Sequence, residues 1–317
     1  MTASGYLLFH KPSGTTSFKA LGAVKRSFPG AKVGHTGTLD SFASGLLVVL
    51  VGAYSRLAPW FVGLDKRYRA EIYFGVETDT LDPGGRILKE GPLPEMDMLE
   101  KVLPRFTGQI AQVPPKYSAL HIDGQRASDL AVRGLDFEIP ERTIEIYSLV
   151  LESYSREKAV LEVHCSSGTY VRSLARDIAA ALGTVAHVSS LQRLSVGAFR
   201  LSEAAGDENL AQGLKLLDPA SAASMGLSPM TLGPGQAKDF RLGRPNALKA
   251  LRPVAPFPSA VAATGRSSPD FRDMGVYSEE GNFMGIAREE ILPGGIPGKR
   301  SFAAVLSLPD QEEGRAG

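Results

Sequence analysis

The chain has 317 residues, of which 43% are hydrophobic and 22% charged, which suits a soluble protein with a sizeable core and room for two domains. Thirty-five basic residues against 34 acidic ones leave a formal charge of only +1, so any affinity for a polyanion has to come from how charge is distributed. The single cysteine, Cys165, excludes an internal disulfide framework, the start MTASGYLLFHKP lacks the charged and long apolar regions of a signal peptide, and the longest apolar run, Leu46 to Val51, is far too short for a membrane span. A cytoplasmic protein without a membrane role is expected.

Charge is uneven along the chain. From Lys11 to Arg69 nine basic residues face two acids, a local +7, and from Glu71 to Pro104 eight acids face three bases, a local −5. A basic face near the N-terminal third is expected, opposite a solvated acidic one.

In chain order, Tyr6 to Phe9 reads as a strand, and Ser17 to Phe28 as a helix with Leu21 and Val24 at helical spacing. Then comes Gly34-His35-Thr36-Gly37-Thr38-Leu39-Asp40-Ser41-Phe42-Ala43-Ser44-Gly45, a loop whose glycines at 34, 37 and 45 admit close approaches and strained backbone. The apolar run after it anchors the loop in the core, leaving Asp40 either as a turn cap or as a reactive carboxylate at the rim. Lys66 to Gly75 alternates as a strand, Asp82-Pro83-Gly84-Gly85 is a turn within a hairpin, and Pro94 to Phe106 reads as a helix. Glu145 to Glu152 and Ala159 to Cys165 form a second hairpin, and Tyr170 to Leu182 a helix ended by Gly183. A further helix is expected over Glu208 to Leu217, within an Ala, Ser and Gly rich stretch from 202 to 232, and linker character over Gly243 to Asp270. Two strand-like patches follow, Gly275 to Tyr277 and Asn282 to Ala287. Strands and helices mixed without a βαβ rhythm predict an α+β fold with a mostly antiparallel sheet. The histidines at 10, 35, 121, 164 and 187 and the lone Cys165 show no metal-ligand spacing, so no metal and no cofactor are expected.

The loop GHTGTLDSFASG resembles the catalytic motif of the TruB family, the tRNA pseudouridine(55) synthases. Further blocks of that family stand in the same order: Leu7 to Pro12, Asp65 to Arg69, Thr78-Asp79-Thr80, Pro114 to Leu120, Cys165 to Arg172 and His187 to Leu194. The sequence departs from the family at His10 and at Ser41-Phe42. The resemblance implies the pseudouridine synthase fold, a central mixed sheet flanked by helices over residues 1–230, and a degenerate PUA-like RNA-binding domain over 231–317. It also implies isomerisation of uridine 55 in the T-loop of tRNA by a monomer. Asp40 is then the catalytic carboxylate, Arg172 its ion-pair partner and Tyr68 the ring that stacks on the base and serves as an acid/base group. Leu191 and Tyr170 become contacts to the base, and His35 enters the space left by the flipped nucleotide. Lys11, Lys32, Lys66 and Arg67 are candidate phosphate contacts, and Asp79 a turn residue. Two other functions fit the same residues, a tRNA-binding or folding module and a guide-RNA-dependent synthase subunit.

Overall fold

The computed structural model describes residues 3–254, 271–290 and 301–309. Its strands are β1 (Gly5–Lys11), β2 (Val33–His35), β3 (Ser44–Val51), β4 (Lys66–Phe74), β5 (Val76–Thr78), β6 (Ile87–Glu90), β7 (Gly108–Gln112), β8 (His121–Ile122), β9 (Gln125–Arg126), β10 (Arg142–Ser155), β11 (Lys158–Cys165), β12 (Ala186–Val196) and β13 (Phe199–Arg200). A second group follows: β14 (Ser228–Leu232), β15 (Arg252–Pro253), β16 (Phe271–Ser278), β17 (Phe283–Glu290) and β18 (Ser301–Ser307).

The central sheet runs β1-β3-β12-β4-β11-β10-β7, with β2 on β3 and β13 on β12. The β3–β12 pairing is parallel and the rest antiparallel, so the sheet is mixed and mostly antiparallel as expected. The continuous apolar sequence of β3 is explained by burial on both faces. Leu47, Val49 and Val51 pack with Leu21 and Val24 of the helix Ser17–Ser27, while Leu46, Val48 and Leu50 join Tyr54, Trp60 and Phe61. In β4 the alternation is complete: Lys66, Tyr68, Ala70, Ile72 and Phe74 are buried, and Arg67, Arg69, Glu71 and Tyr73 are not.

Two stretches differ from the sequence reading. Glu208 to Leu217 is not a helix; a single turn at Asp207–Asn209 leads into a strap along β1, where Lys215 exchanges hydrogen bonds with Tyr6 at 2.8 and 2.9 Å and the Ala205 amide donates to Leu8 at 2.8 Å. An edge strand with unpaired backbone groups and buried Leu210 and Leu217 outweigh local propensity here. Nor is the expected linker from Gly243 without structure, since a turn at Pro245–Ala250 and β15 fall within it. Asp218 caps the helix Pro219–Ser224 by accepting from the Ser221 amide at 2.9 Å, and β14 enters a five-stranded sheet, β15-β14-β16-β17-β18. That sheet confirms the β-rich C-terminal region. Positions 255–270 of the expected linker lie outside the described residues.

The two sheets share one core. Tyr277, Phe283, Ile286 and Leu306 pack with Tyr6, Leu8 and Tyr54, and the Trp60 indole donates to Asp273 at 3.0 Å. Among the described residues no helix is long and apolar enough to cross a membrane.

Candidate active site

The loop carrying Asp40 is fastened at several points. Ser17 Oγ accepts from the Leu39 amide at 2.9 Å and donates to its carbonyl at 3.1 Å; Ser13 Oγ donates to Phe42 at 2.6 Å and the Gly14 amide to Ser41 at 2.8 Å. The departures at Ser41 and Phe42 therefore act here through main-chain carbonyls that tie the loop to residues 13 and 14. Of the three loop glycines only Gly45 is sterically required. Its φ is +113°, and a Cβ there would collide with the Arg193 carbonyl of β12, whereas a Cβ at Gly34 meets nothing and one at Gly37 makes an ordinary contact.

Asp40 opens on a cavity of about 400 Å³ also lined by Tyr68, Leu191, Tyr170, Arg172, Lys66 and Arg193. Arg172, 3% exposed, starts the helix Val171–Ala181, and its Nη2 donates to Asp40 Oδ1 at 3.0 Å while Nε stands 2.8 Å from Oδ2. Its other donors are committed to the Thr80 carbonyl at 2.7 Å and the Tyr117 carbonyl at 3.0 Å, and Asp82 lies 3.8 Å away. Burial pushes the Asp40 carboxyl up, Arg172 pulls it back down, and Asp82 adds a smaller upward push. The pair keeps a carboxylate charged in a confined hollow, open enough for about 35% of the side chain to remain accessible. Tyr68, 9% exposed on β4, has its hydroxyl pushed up by burial and lowered by Arg193. Leu191 sits on β12, two strand positions before Arg193. Gln112 clamps the Tyr170 backbone, accepting from its amide at 2.9 Å and donating to its carbonyl at 3.2 Å, while the Arg142 guanidinium lies 4.6 Å over its ring.

The remaining candidates separate from this group. His35, on β2, accepts the Gly37 amide on Nδ1 at 3.4 Å, and burial followed by Arg193 lowers its pKa; it does not line the cavity. Lys32 is exposed. Lys11 is fully buried, with Nζ donating to Pro12 at 2.9 Å and Thr15 at 2.7 Å, and burial brings its pKa down to about 8. Lys66 lines the cavity but spends its ammonium on the carbonyls of Val62, at 2.7 Å, and Leu64, and it too is lowered to about 8, chiefly by burial. Arg67 pairs with Glu162 at 3.0 Å on the outer face of the sheet, where Arg69 pairs with Glu152 and Lys158 with Glu71. Of the candidate phosphate contacts, Lys11 and Lys66 are thus buried with their ammonium groups on nearby main-chain carbonyls, and Arg67 is paired across the sheet with Glu162. Asp79 holds its turn as expected, accepting from the Arg86 amide at 2.9 Å. Asp82 and Arg193 were not singled out from sequence. Arg193 had a usable signal, since it stands two residues from Leu191 on a strand and so shares its face. A second hollow, of about 440 Å³ between Met96 and Tyr154, collects none of the candidate residues. Among the described residues no group of three or more His, Cys, Asp or Glu side chains could hold a metal.

The architecture is that of the pseudouridine synthases. The chain aligns with the Cbf5-Nop10-Gar1 complex at TM-score 0.67 and 19% identity, over 96% of this chain and 84% of that one. It aligns equally with an H/ACA RNP bound to a substrate RNA containing 2'-deoxyuridine, at TM-score 0.68 and 18% identity, over 98% and 86%. Residues 25–171 match the model of the TruB family pseudouridylate synthase N-terminal domain. The tRNA pseudouridine synthase B of Borreliella burgdorferi (strain ZS7) is 47% identical over 212 residues, 66% of this chain and 75% of that protein; that of Treponema pallidum (strain Nichols) is 45% identical over 226 residues, 64% and 62%. The chain belongs to the TruB family of pseudouridylate synthases.

Proposed function

We propose that this protein converts uridine 55 in the T-loop of tRNA to pseudouridine, with Asp40 as the catalytic carboxylate. The observation that carries this reading is the Asp40–Arg172 ion pair on a cavity also lined by Tyr68 and Leu191. The reaction breaks the N1–C1′ bond, turns the uracil and joins C5 to C1′, with a proton leaving C5 and one gained at N1. An ionised Asp40 supplies the attack on C6 or C1′, or accepts the 2′ proton to give a glycal, and each route needs the charge that Arg172 sustains. Tyr68 stacks on the flipped base and serves as acid/base group, Leu191 and Tyr170 hold it, and His35 fills the space it leaves. No metal or cofactor enters the reaction. In this proposal residues 1–230 form the catalytic domain and 231–317 a PUA-like RNA-binding domain, in a monomer acting in the cytoplasm.

Phosphate contacts fall to exposed cations beside the loop rather than to those of β4. Lys19, Lys25 and Arg26 are exposed on the helix Ser17–Ser27, whose Ser17 holds the loop, and Lys32 follows them. The test is the single chain on an unmodified tRNA transcript, read by a carbodiimide primer-extension block. A block at position 55 supports the reading, and its loss in a transcript carrying cytidine there fixes the site. Binding without modification would favour a folding module, and modification only with an added guide RNA would favour the ribonucleoprotein type.

A further inference from the structure

Arg193 takes no part in the scheme above, yet it is 2% exposed and lines the same cavity. Its Nε donates to the Leu46 carbonyl at 2.7 Å and its Nη2 to the Gly37 carbonyl at 3.1 Å. Those carbonyls flank the segment that carries Asp40, so one side chain grips the loop at both ends. Its main chain grips the loop too. Arg193 pairs with Gly45 in the parallel β3–β12 contact, which is close enough to forbid a Cβ at that glycine. On its other side Arg193 is the cross-strand partner of Tyr68, with which it lines the cavity, and its charge lowers the phenol pKa that burial raises.

The two buried guanidiniums of the site are thus used differently. Arg172 neutralises Asp40, whereas among the described residues no carboxylate pairs with Arg193. A buried cation without a counter-ion is retained only where fixed dipoles satisfy it, and a planar fork satisfied by several carbonyls holds them rigidly in return. A lysine would keep the charge and lose the fork.

We propose that Arg193 is a positioning residue for the reaction: it locks the Asp40 loop to β12 beside its cross-strand partner Tyr68, so that carboxylate and phenol meet the base in one fixed geometry. This rests on the function proposed above. The test separates binding from chemistry by measuring tRNA dissociation constants and single-turnover rates for wild type, Arg193→Lys, Arg193→Gln, Tyr68→Phe and the Arg193→Lys/Tyr68→Phe double variant. A misplacement of about 1 Å costs on the order of a hundredfold in rate, so Arg193→Lys is expected to slow the chemical step by roughly 10- to 100-fold and Arg193→Gln by at least as much, with affinity within about threefold. Because the residue acts partly through the phenol, Arg193→Lys should slow the Tyr68→Phe background several-fold less, on the order of the coupling seen between touching side chains. Wild-type turnover in Arg193→Lys, a slowdown matched by weaker binding, full additivity with Tyr68→Phe, or loss of the cooperative melt in both Arg193 single variants would each overturn the proposal. Absence of pseudouridine from the wild type would instead sink the functional reading itself.

Discussion

In the proposed reaction Asp40 acts as an anion, and its surroundings pull in opposite directions: burial and Asp82 raise its pKa, and Arg172 lowers it. The net shift is upward from 3.8. The single-turnover rate should therefore fall with acidification at a pH above that of a free aspartate, as a pH–rate profile with a stable tRNA transcript would show; an acid limb below 3.8 would contradict the burial argument. Lys66 gives a stability signature. Its folded pKa of about 8 lies below the ordinary 10.5, so between these values the unfolded chain binds more protons and stability rises with pH. Urea unfolding at pH 7 and pH 10 should show the wild type gaining on Lys66→Met over that interval. A constant difference would mean that the ammonium is not buried as described. Asp40, Tyr68, Arg172, Tyr170 and Leu191 were all legible in the sequence because motif blocks fix residue types at fixed places. Which cations stay free was not legible, because the burial of Lys11 and Lys66 and the pairing of Arg67 with Glu162, 95 residues away, are set by the tertiary fold.

At the scale of elements, the site depends on how β3 and β12 meet. Gly45 stands at that contact with φ +113°, so Gly45→Ala combines backbone strain with a clash against the Arg193 carbonyl. It should cost about 2–4 kcal/mol in denaturant unfolding and disable the loop, and a loss below about 0.5 kcal/mol would contradict the close approach. The helix Ser17–Ser27 offers the exposed cations Lys19, Lys25 and Arg26, whereas Arg67 and Arg69 of β4 are paired with Glu162 and Glu152. Lys25→Ala and Arg26→Ala should each reduce the slope of log affinity against log salt by about one, whereas Arg67→Ala, already paired to Glu162, should leave it unchanged. The reverse ranking would restore the outer face of the sheet as the RNA surface. The sequence made β4, the Asp82 turn and the burial of the run that becomes β3 readable, since an alternation, a Pro-Gly-Gly turn and a continuous apolar stretch are local signals. The strap over residues 208–217 was not, because its conformation answers to the unpaired edge of β1, a demand from a strand some 200 residues earlier.

Across the whole molecule, the small C-terminal sheet is continuous with the core beneath β1 and β3, through Tyr277, Phe283 and the Trp60–Asp273 hydrogen bond. The buried Asp273 is also held by Arg288 at 2.6 Å, so the junction between the sheets is polar as well as apolar. In the proposed function the carboxylate of the Asp40 loop supplies the chemistry and phosphate and stacking contacts supply the affinity, so the two are separable, and the central claim is tested where they part. In Asp40→Asn the shape of the loop is kept and the charge is lost. The dissociation constant for an unmodified tRNA transcript should stay within about tenfold, or 1.4 kcal/mol, because phosphate and stacking contacts supply most of the affinity. Single-turnover formation of pseudouridine, complete in the wild type, should be absent. Measurable pseudouridine from Asp40→Asn would contradict the assignment of the reaction to this carboxylate.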